Sequence, residues 1–279
     1  MPENRREFTF TRKDYEQLCE IVDKYTGIQL AAGKEDMLYG RLSRRLRKLN
    51  MRSFGDYIKL IEQGDKSEEF GEFINAVTTN LTSFFRENHH FDYLKESLLP
   101  ELMKRNRVSR RIRIWSAGCS TGEEPYSIAM TVAETVPSDW DVKILATDLD
   151  TDVLSHGEHG VYDISRVESL DKRMVKRWFM KNNQKHPTHV KVRPELQRMI
   201  HFRQLNLLQE WPMSGPLDII FCRNVIIYFD MPTKQMLMNR YADMLISGGH
   251  LFLGHSEAMH NMSERYSLCG KSVYIKKDS

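Results

Sequence analysis

The chain of 279 residues is long enough for one or two domains with a substantial core, at about 150 residues per domain. Hydrophobic residues make up 41% and charged residues 28%, and 41 Lys and Arg against 38 Asp and Glu leave a formal charge of +3, a globular balance that excludes a disordered chain and a histone-like nucleic-acid coat. The longest apolar run, residues 225–229, is far short of the roughly 20 residues needed to span a bilayer, and Pro2-Glu3-Asn4-Arg5-Arg6-Glu7 leads into no secretion-signal core, so a cytoplasmic protein is expected.

Through about residue 80 apolar positions recur at three- and four-residue steps without β-branched runs, which predicts helices. The first covers 14–25, with Tyr15, Leu18, Ile21, Val22 and Tyr25 on one side. The second, 36–52, sets Leu38, Leu42, Leu46 and Leu49 on a buried stripe and Arg41, Arg44, Arg45, Lys48 and Arg52 on the opposite face; no acid lies between Leu38 and Arg52. Helices over 54–62 and 67–77 follow, and a linker leads to about residue 110. From there short apolar strands alternate with helical stretches, the pattern of βαβ units in a mostly parallel α/β sheet. Strands are expected at 111–115, 142–147, 199–204, 217–222 and 250–254, with an antiparallel edge strand at 273–276. Between about 178 and 204 charged and apolar residues alternate too tightly for a crossover helix, so a small β insertion is expected. The division is a helical domain over 1–85 and an α/β domain over 86–279. Cys19, Cys119, Cys222 and Cys269 show no CxxC spacing and are expected as free thiols.

After the first predicted strand, Ser116-Ala117-Gly118-Cys119-Ser120-Thr121-Gly122-Glu123-Glu124-Pro125 reads as a Gly-rich loop opening a helix over 125–135. The spacing is GxxxG rather than GxGxxG, and no Lys follows Gly122, so a phosphate-gripping loop is not supported. Glu123 and Glu124 would repel a pyrophosphate and suit a ligand carrying an ammonium or sulfonium. The next strand ends in Ala146-Thr147-Asp148-Leu149-Asp150, where Asp148 can accept hydrogen bonds from ribose hydroxyls or simply cap a helix. Asn206-Leu207 and Cys222-Arg223-Asn224 follow later strands, with Tyr228 one turn beyond. Loop and acid within one βαβ unit point to a nucleoside ligand.

Several stretches together resemble the CheR-type chemotaxis receptor methyltransferases. They are Thr78-Thr79-Asn80-Leu81-Thr82-Ser83-Phe84-Phe85-Arg86-Glu87, residues 115–127, the Asp148 strand end, Phe221-Cys222-Arg223-Asn224-Val225-Ile226-Ile227-Tyr228-Phe229 and Leu253-Gly254-His255-Ser256-Glu257. The likeness runs in order from about Tyr15 to Tyr274. It implies a class I methyltransferase, a Rossmann-like doubly wound sheet with a small antiparallel β insertion, preceded by an all-α domain. It also implies S-adenosylmethionine as cofactor, S-adenosylhomocysteine as product, no metal, and methylation of glutamate side chains on cytoplasmic helices of bacterial chemoreceptors, the adaptation step of chemotaxis. By the family's pattern Asn80, Thr82 and Arg86 reach the cofactor, while Gly118 lies in its loop and Glu124 and Asp148 bind its methionyl and ribose parts. Asn206 and Leu207 flank the adenine, and Cys222, Arg223 and Asn224 close the pocket. Arg86 and Tyr228 are the implied catalytic residues.

A glutamate acceptor is already ionised at neutral pH, so in-line methyl transfer needs no general base and positioning must carry the rate. Arg86 is expected to orient the acceptor carboxylate or the cofactor with a planar fork that Lys cannot copy. The fourth strand ends in Cys-Arg-Asn-Val, not in the Asn/Asp-Pro-Pro-aromatic motif common in amino-group methylases, which disfavours base or amine methylation. The basic face of 36–52 is expected to dock acidic receptor helices, the alternative being a solvated face. The β insertion resembles the family's β-subdomain, whose edge in some members pairs with a receptor tail peptide. A monomer recruited to membrane-bound receptor arrays is expected, with neither nucleic-acid binding nor membrane insertion. His156/His159 and His186/His189 have HxxH spacing without a matching Cys or carboxylate, and no GxSxG elbow occurs, so neither a metal site nor a Ser hydrolase is expected. The rival readings are a methyltransferase for nucleic acid or a small molecule, and a non-catalytic cofactor-binding signalling module.

Overall fold

The computed structural model of the chain describes residues 6–30, 33–64, 67–181, 188–260 and 262–278. The chain divides into two compact units, Met1–Thr79 with Tyr228–Asp230, and Asn80–Ile227 with Met231–Ser279.

The first unit is built from α1 (Arg12–Thr26), α2 (Glu35–Lys48), α3 (Phe54–Ile61) and α4 (Glu68–Val77). Helix α1 starts where Thr11 and Asp14 cap each other's backbone reciprocally, and it stops at Gly27. Leu38, Leu42 and Leu46 of α2 are fully buried, as the helical period requires. Leu49 is not on that stripe: α2 ends at Lys48, the chain turns through Asn50 at φ 53°, and Leu49 is left exposed with Arg52 beyond the helix. Arg41 and Arg45 are not on an open face either. Each lies three residues after a stripe leucine, about 60° round the helix, and so flanks the buried side. Arg41 donates to the carbonyls of Ala76 and Thr78 at 3.2 and 2.5 Å, and Arg45 grips Glu69 bidentately at 2.9 and 2.5 Å while also pairing with Glu72. Arg44, Lys48 and Arg52 remain exposed.

The second unit opens with α5 (His89–Tyr93), a π-helical turn (Leu94–Leu98) and α6 (Leu99–Arg105), where the sequence predicts a linker. Phe91, Leu94, Leu98, Leu99 and Leu102 from this segment lie in the main core. In order follow β1 (Arg111–Ala117), α7 (Glu123–Thr135), β2 (Asp141–Asp148), α8 (Thr151–His159), β3 (Val161–Asp163) and α9 (Lys172–Trp178). Then come β4 (Phe179–Lys181), β5 (His189–Val192), α10 (Pro194–Gln197), β6 (Ile200–Gln204) and β7 (Leu217–Cys222). The unit closes with α11 (Met231–Met244), β8 (Leu245–Leu253), β9 (Tyr266–Gly270) and β10 (Val273–Lys276).

The large sheet has the order β6-β2-β1-β7-β8-β10-β9, parallel from β6 to β8 and antiparallel at β10 and β9. Chain order reverses at β1, with β2 and β6 on one side and β7 and β8 on the other, so the β1/β7 boundary is the switch point at whose carboxyl end such sheets bind ligands. Strand β10 lies between β8 and β9 rather than at the edge; β9, which sequence patterning misses, has one buried side chain, Tyr266, and so no alternation to read. The insertion is a separate antiparallel sheet of order β3-β5-β4. It begins at Val161, ahead of residue 178, and Ile200–Gln204 belongs to the large sheet; residues 182–187, His186 among them, lie outside the described residues. Among the described residues no helix is long and apolar enough to cross a membrane.

Candidate active site

The loop between β1 and α7 is pinned to the end of β2, because the N–H groups of Gly118 and Cys119 donate to the Thr147 carbonyl at 2.8 and 2.9 Å. Gly118 has φ 86°, and a Cβ there would stand 2.3 Å from Val225 Cγ2, so only glycine fits. Asp148, at the end of β2, accepts the Ser120 N–H at 2.8 Å on one oxygen and the Asp150 N–H at 3.1 Å on the other. Each oxygen retains acceptor capacity, as a ribose diol requires. Burial pushes the Asp148 pKa up to about 6 against those N–H bonds. Asp150 caps α8 through the N–H groups of Asp152 and Val153 and takes the Asn80 side-chain amide at 2.7 Å, while the Ser120 hydroxyl donates to the Asn80 carbonyl at 3.2 Å. Asn80 is thereby held beside the Asp148 strand end.

On the other side of the switch point Arg223 is almost fully buried between two carboxylates. It lies 3.1 Å from Glu124 and 3.3 Å from Glu87, donates to the Arg86 carbonyl, and sits over the Phe91 ring. Arg223 Nε is buried with no hydrogen-bond partner among the described residues. Glu124 also accepts the Ser116 hydroxyl at 2.7 Å; burial pushes its pKa up, with Arg223 opposing. Burial acts the same way on Glu87, but the His255 N–H, Arg223 and Asn224 outweigh it and hold the carboxyl below its usual range. Glu123, paired with Glu124 in the sequence reading, is unavailable to a ligand. It is 1% exposed, bound by the Thr121 hydroxyl at 2.6 Å and by Arg166.

Other predicted positions are placed differently. Thr82 presents its carbonyl to Arg166 at 2.7 Å, and half-buried Arg86 donates to the Leu81 carbonyl at 2.8 Å. The Cys222 thiol is fully buried and accepts the Tyr241 hydroxyl at 3.3 Å, which leaves its main chain, not its sulfur, for a ligand. Asn206 accepts the Leu208 N–H at 2.9 Å in an Asx turn, and the Leu207 carbonyl takes Trp211 and Arg240 at 3.1 and 2.7 Å. Tyr228 ends the 3-10 turn Ile226–Tyr228 and belongs to the helical unit, its carbonyl accepting the Gln29 N–H at 2.8 Å. Sequence reasoning gave no role to Glu87, Asp150 or Arg166. The first lies inside a family-like stretch, next to Arg86, and that adjacency was the available signal. Among the described residues no group of three or more His, Cys, Asp or Glu is arranged to hold a metal.

Residues 13–78 match the family described as CheR methyltransferase, all-alpha domain, and residues 80–275 match CheR methyltransferase, SAM binding domain. The chain is 42% identical over 269 residues to the chemotaxis protein methyltransferase of Salmonella typhimurium, covering 95% of this chain and 90% of that one. Identity to the Escherichia coli K12 protein of the same name is 43% over 269 residues, with 95% and 91% coverage. Chemotaxis protein methyltransferase 2 of Pseudomonas aeruginosa is 43% identical over 271 residues, with 96% and 95% coverage. The residues at the strand ends are of the kind the implied cofactor calls for: a carboxylate with spare acceptor capacity in Asp148, a buried carboxyl in Glu124, and a side-chain-free loop at Gly118. With both domains matched in order and strand ends suited to S-adenosylmethionine, the chain belongs to the CheR methyltransferases, which use that cofactor.

Proposed function

We propose that the protein esterifies glutamate side chains of bacterial chemoreceptors with the methyl group of S-adenosylmethionine, the adaptation step of chemotaxis. The observation that carries this reading is the placement of Asp148 at the end of β2 and of Arg223, paired with Glu124, just past the end of β7, on either side of the β1 loop, in a chain 42–43% identical to chemotaxis methyltransferases. Bound, the cofactor supplies an electrophilic methyl group on a sulfonium. Asp148 accepts the ribose hydroxyls, Glu124 the ammonium, and Asn80 and Thr82 cover the bound molecule from the segment that Asp150 and Arg166 fix. Asn206 and Leu207 flank the adenine, and the main chain of Cys222 with Arg223 and Asn224 closes the crevice. Arg86 orients the acceptor carboxylate, and Tyr228 helps to hold the reacting geometry. An ionised acceptor makes a general base unnecessary, so these residues act by positioning and water exclusion.

Exposed Arg44, Lys48 and Arg52 form the reduced basic surface that meets Glu-rich receptor helices. In the small sheet β3 and β4 are the edges to which a receptor tail peptide can add. The enzyme acts as a cytoplasmic monomer recruited to receptor arrays. The deciding experiment supplies radiolabelled S-adenosylmethionine and chemoreceptor-containing membranes, then releases label as methanol with mild base. Base-labile label on receptors supports glutamate esterification. Label that is base-stable, or absent while the cofactor binds, moves the reading to another acceptor or to a sensor.

A further inference from the structure

After β8 the chain turns through Gly254, His255 and Ser256 to Glu257, a carboxylate 3% exposed that no step above uses. Among the described residues it makes no ion pair. Its oxygens instead take main-chain N–H groups, Oε2 from Gly254 at 2.6 Å and Asn224 at 2.7 Å, and Oε1 from Ile227 at 3.2 Å. These donors sit on two loops, one after β8 and one after β7. Asn224 has φ 60°, a left-handed conformation uncommon for a residue with a side chain, and its N–H bond to Glu257 holds it there. Close approach is built in: a Cβ on Gly254 would lie 2.6 Å from Asn224 Nδ2 and 2.7 Å from Glu257 Oε2. From the opposite flank Glu87 accepts the His255 N–H at 3.1 Å, and it reaches the Asn224 amide at 3.4 Å.

We propose that Glu257 is a positioning residue for cofactor binding, a buried carboxylate whose main-chain hydrogen bonds set the loop that presents Arg223 and Asn224 to the cofactor. The inference rests on the reading of those two residues as cofactor-binding. An ionised carboxylate is an acceptor at every lone pair, which is what a cluster of N–H donors demands. A glutamine of the same shape must point its own N–H₂ at one of them. Burial pushes the Glu257 pKa up, and the backbone N–H donors oppose that shift by favouring the anion.

The test compares Glu257→Gln, Glu257→Ala and Asn224→Ala in the full chain, with both KM values, kcat and calorimetric binding of S-adenosylhomocysteine. For Glu257→Gln the expected result is a tenfold or greater rise in cofactor KM and product dissociation constant, with acceptor KM within twofold of wild type. In Glu257→Ala, added formate refills the carboxylate position and recovers at least threefold of the lost affinity. A fall in kcat alone, with both KM values unchanged, marks a merely structural role and overturns the proposal; so does affinity loss in Glu257→Ala that formate does not recover. If the Ala variant fails to fold, the isosteric Gln variant decides by its KM split. If Asn224→Ala weakens binding and Glu257→Gln does not, the proposal alone falls. If Asn224→Ala binds like wild type, the cofactor reading of that loop falls instead.

Discussion

Two arginines in this protein sit in almost the same local chemistry in different places in the fold. Arg45 lies between Glu69 and Glu72 in the helical unit, and Arg223 lies between Glu87 and Glu124 in the α/β unit. The Arg45 fork ties α2 to α4, with the Tyr57 hydroxyl completing the Glu69 shell at 2.8 Å. Arg223 keeps a buried Nε without a partner among the described residues, and it stands where β7 ends beside the Gly118 loop. A buried arginine between two glutamates therefore does not mark a site by itself. The proposed role of Arg223 rests instead on its place at the carboxyl ends of parallel strands, where loops diverge and leave room for a ligand.

The sharpest way to break the comparison is to remove each guanidinium. Arg223→Met strands the buried Glu124 and the partly buried Glu87, and breaking a buried pair costs about 3–5 kcal/mol. Methyl transfer measured as kcat/KM should fall at least about a hundredfold, with S-adenosylhomocysteine binding lost in parallel. Arg45→Met should cost a similar amount of stability, about 3 kcal/mol by denaturant unfolding, yet leave cofactor affinity within about twofold. Equal loss of affinity in both variants would erase the distinction.

Arg86 sharpens it further, since its guanidinium is half-buried and bonded to one carbonyl. Arg86→Lys should lower kcat/KM by about tenfold or more without moving the thermal midpoint, because Lys keeps the charge and loses the fork. Wild-type turnover would remove Arg86 from the proposed chemistry.

The next effect is a pH dependence. Asp148 has a pKa raised by burial to about 6 from 3.8, so its ionisation opposes folding: its stability contribution is full below the unfolded pKa and is lost as pH rises through about 6. Cofactor binding has the opposite sign, because the charged acceptor makes the stronger hydrogen bonds to ribose. Affinity should tighten by up to about tenfold between pH 5 and 7, and Asp148→Asn should flatten that slope except for the share from Glu124, whose pKa burial also raises. A wild-type affinity that does not change over that range would contradict the assignment. The smallest effect is expected at the exposed end of the basic face. Reversing Arg44, Lys48 and Arg52 to Glu should weaken receptor methylation about three- to tenfold at low salt, with cofactor binding unchanged and the difference shrinking as salt rises.

Much of this could be read from local pattern. The α2 leucines, the Gly118 loop and the acid at the end of β2 each depend on neighbours within one or two turns, so periodicity and turn chemistry expose them. Leu49 misled because a helix end four residues earlier than expected changes which way a side chain points. Arg41 and Arg45 misled because their partners, Ala76, Thr78, Glu69 and Glu72, lie on a distant helix or just past its end. The pairing of Glu87 with Arg223 spans more than a hundred residues and leaves no trace in spacing.

By itself the sequence determined the class of the protein: a helical unit, a parallel sheet with short polar loops at strand ends, and a run of motifs shared with one methyltransferase family. Those properties follow from which residues are apolar, at what period, and where Gly and Asp interrupt them. Only the tertiary structure decided which charges are spent on the fold and which remain at the crevice. Burial and partner geometry are properties of the packed chain, and the same Arg or Glu changes its role with what is brought against it.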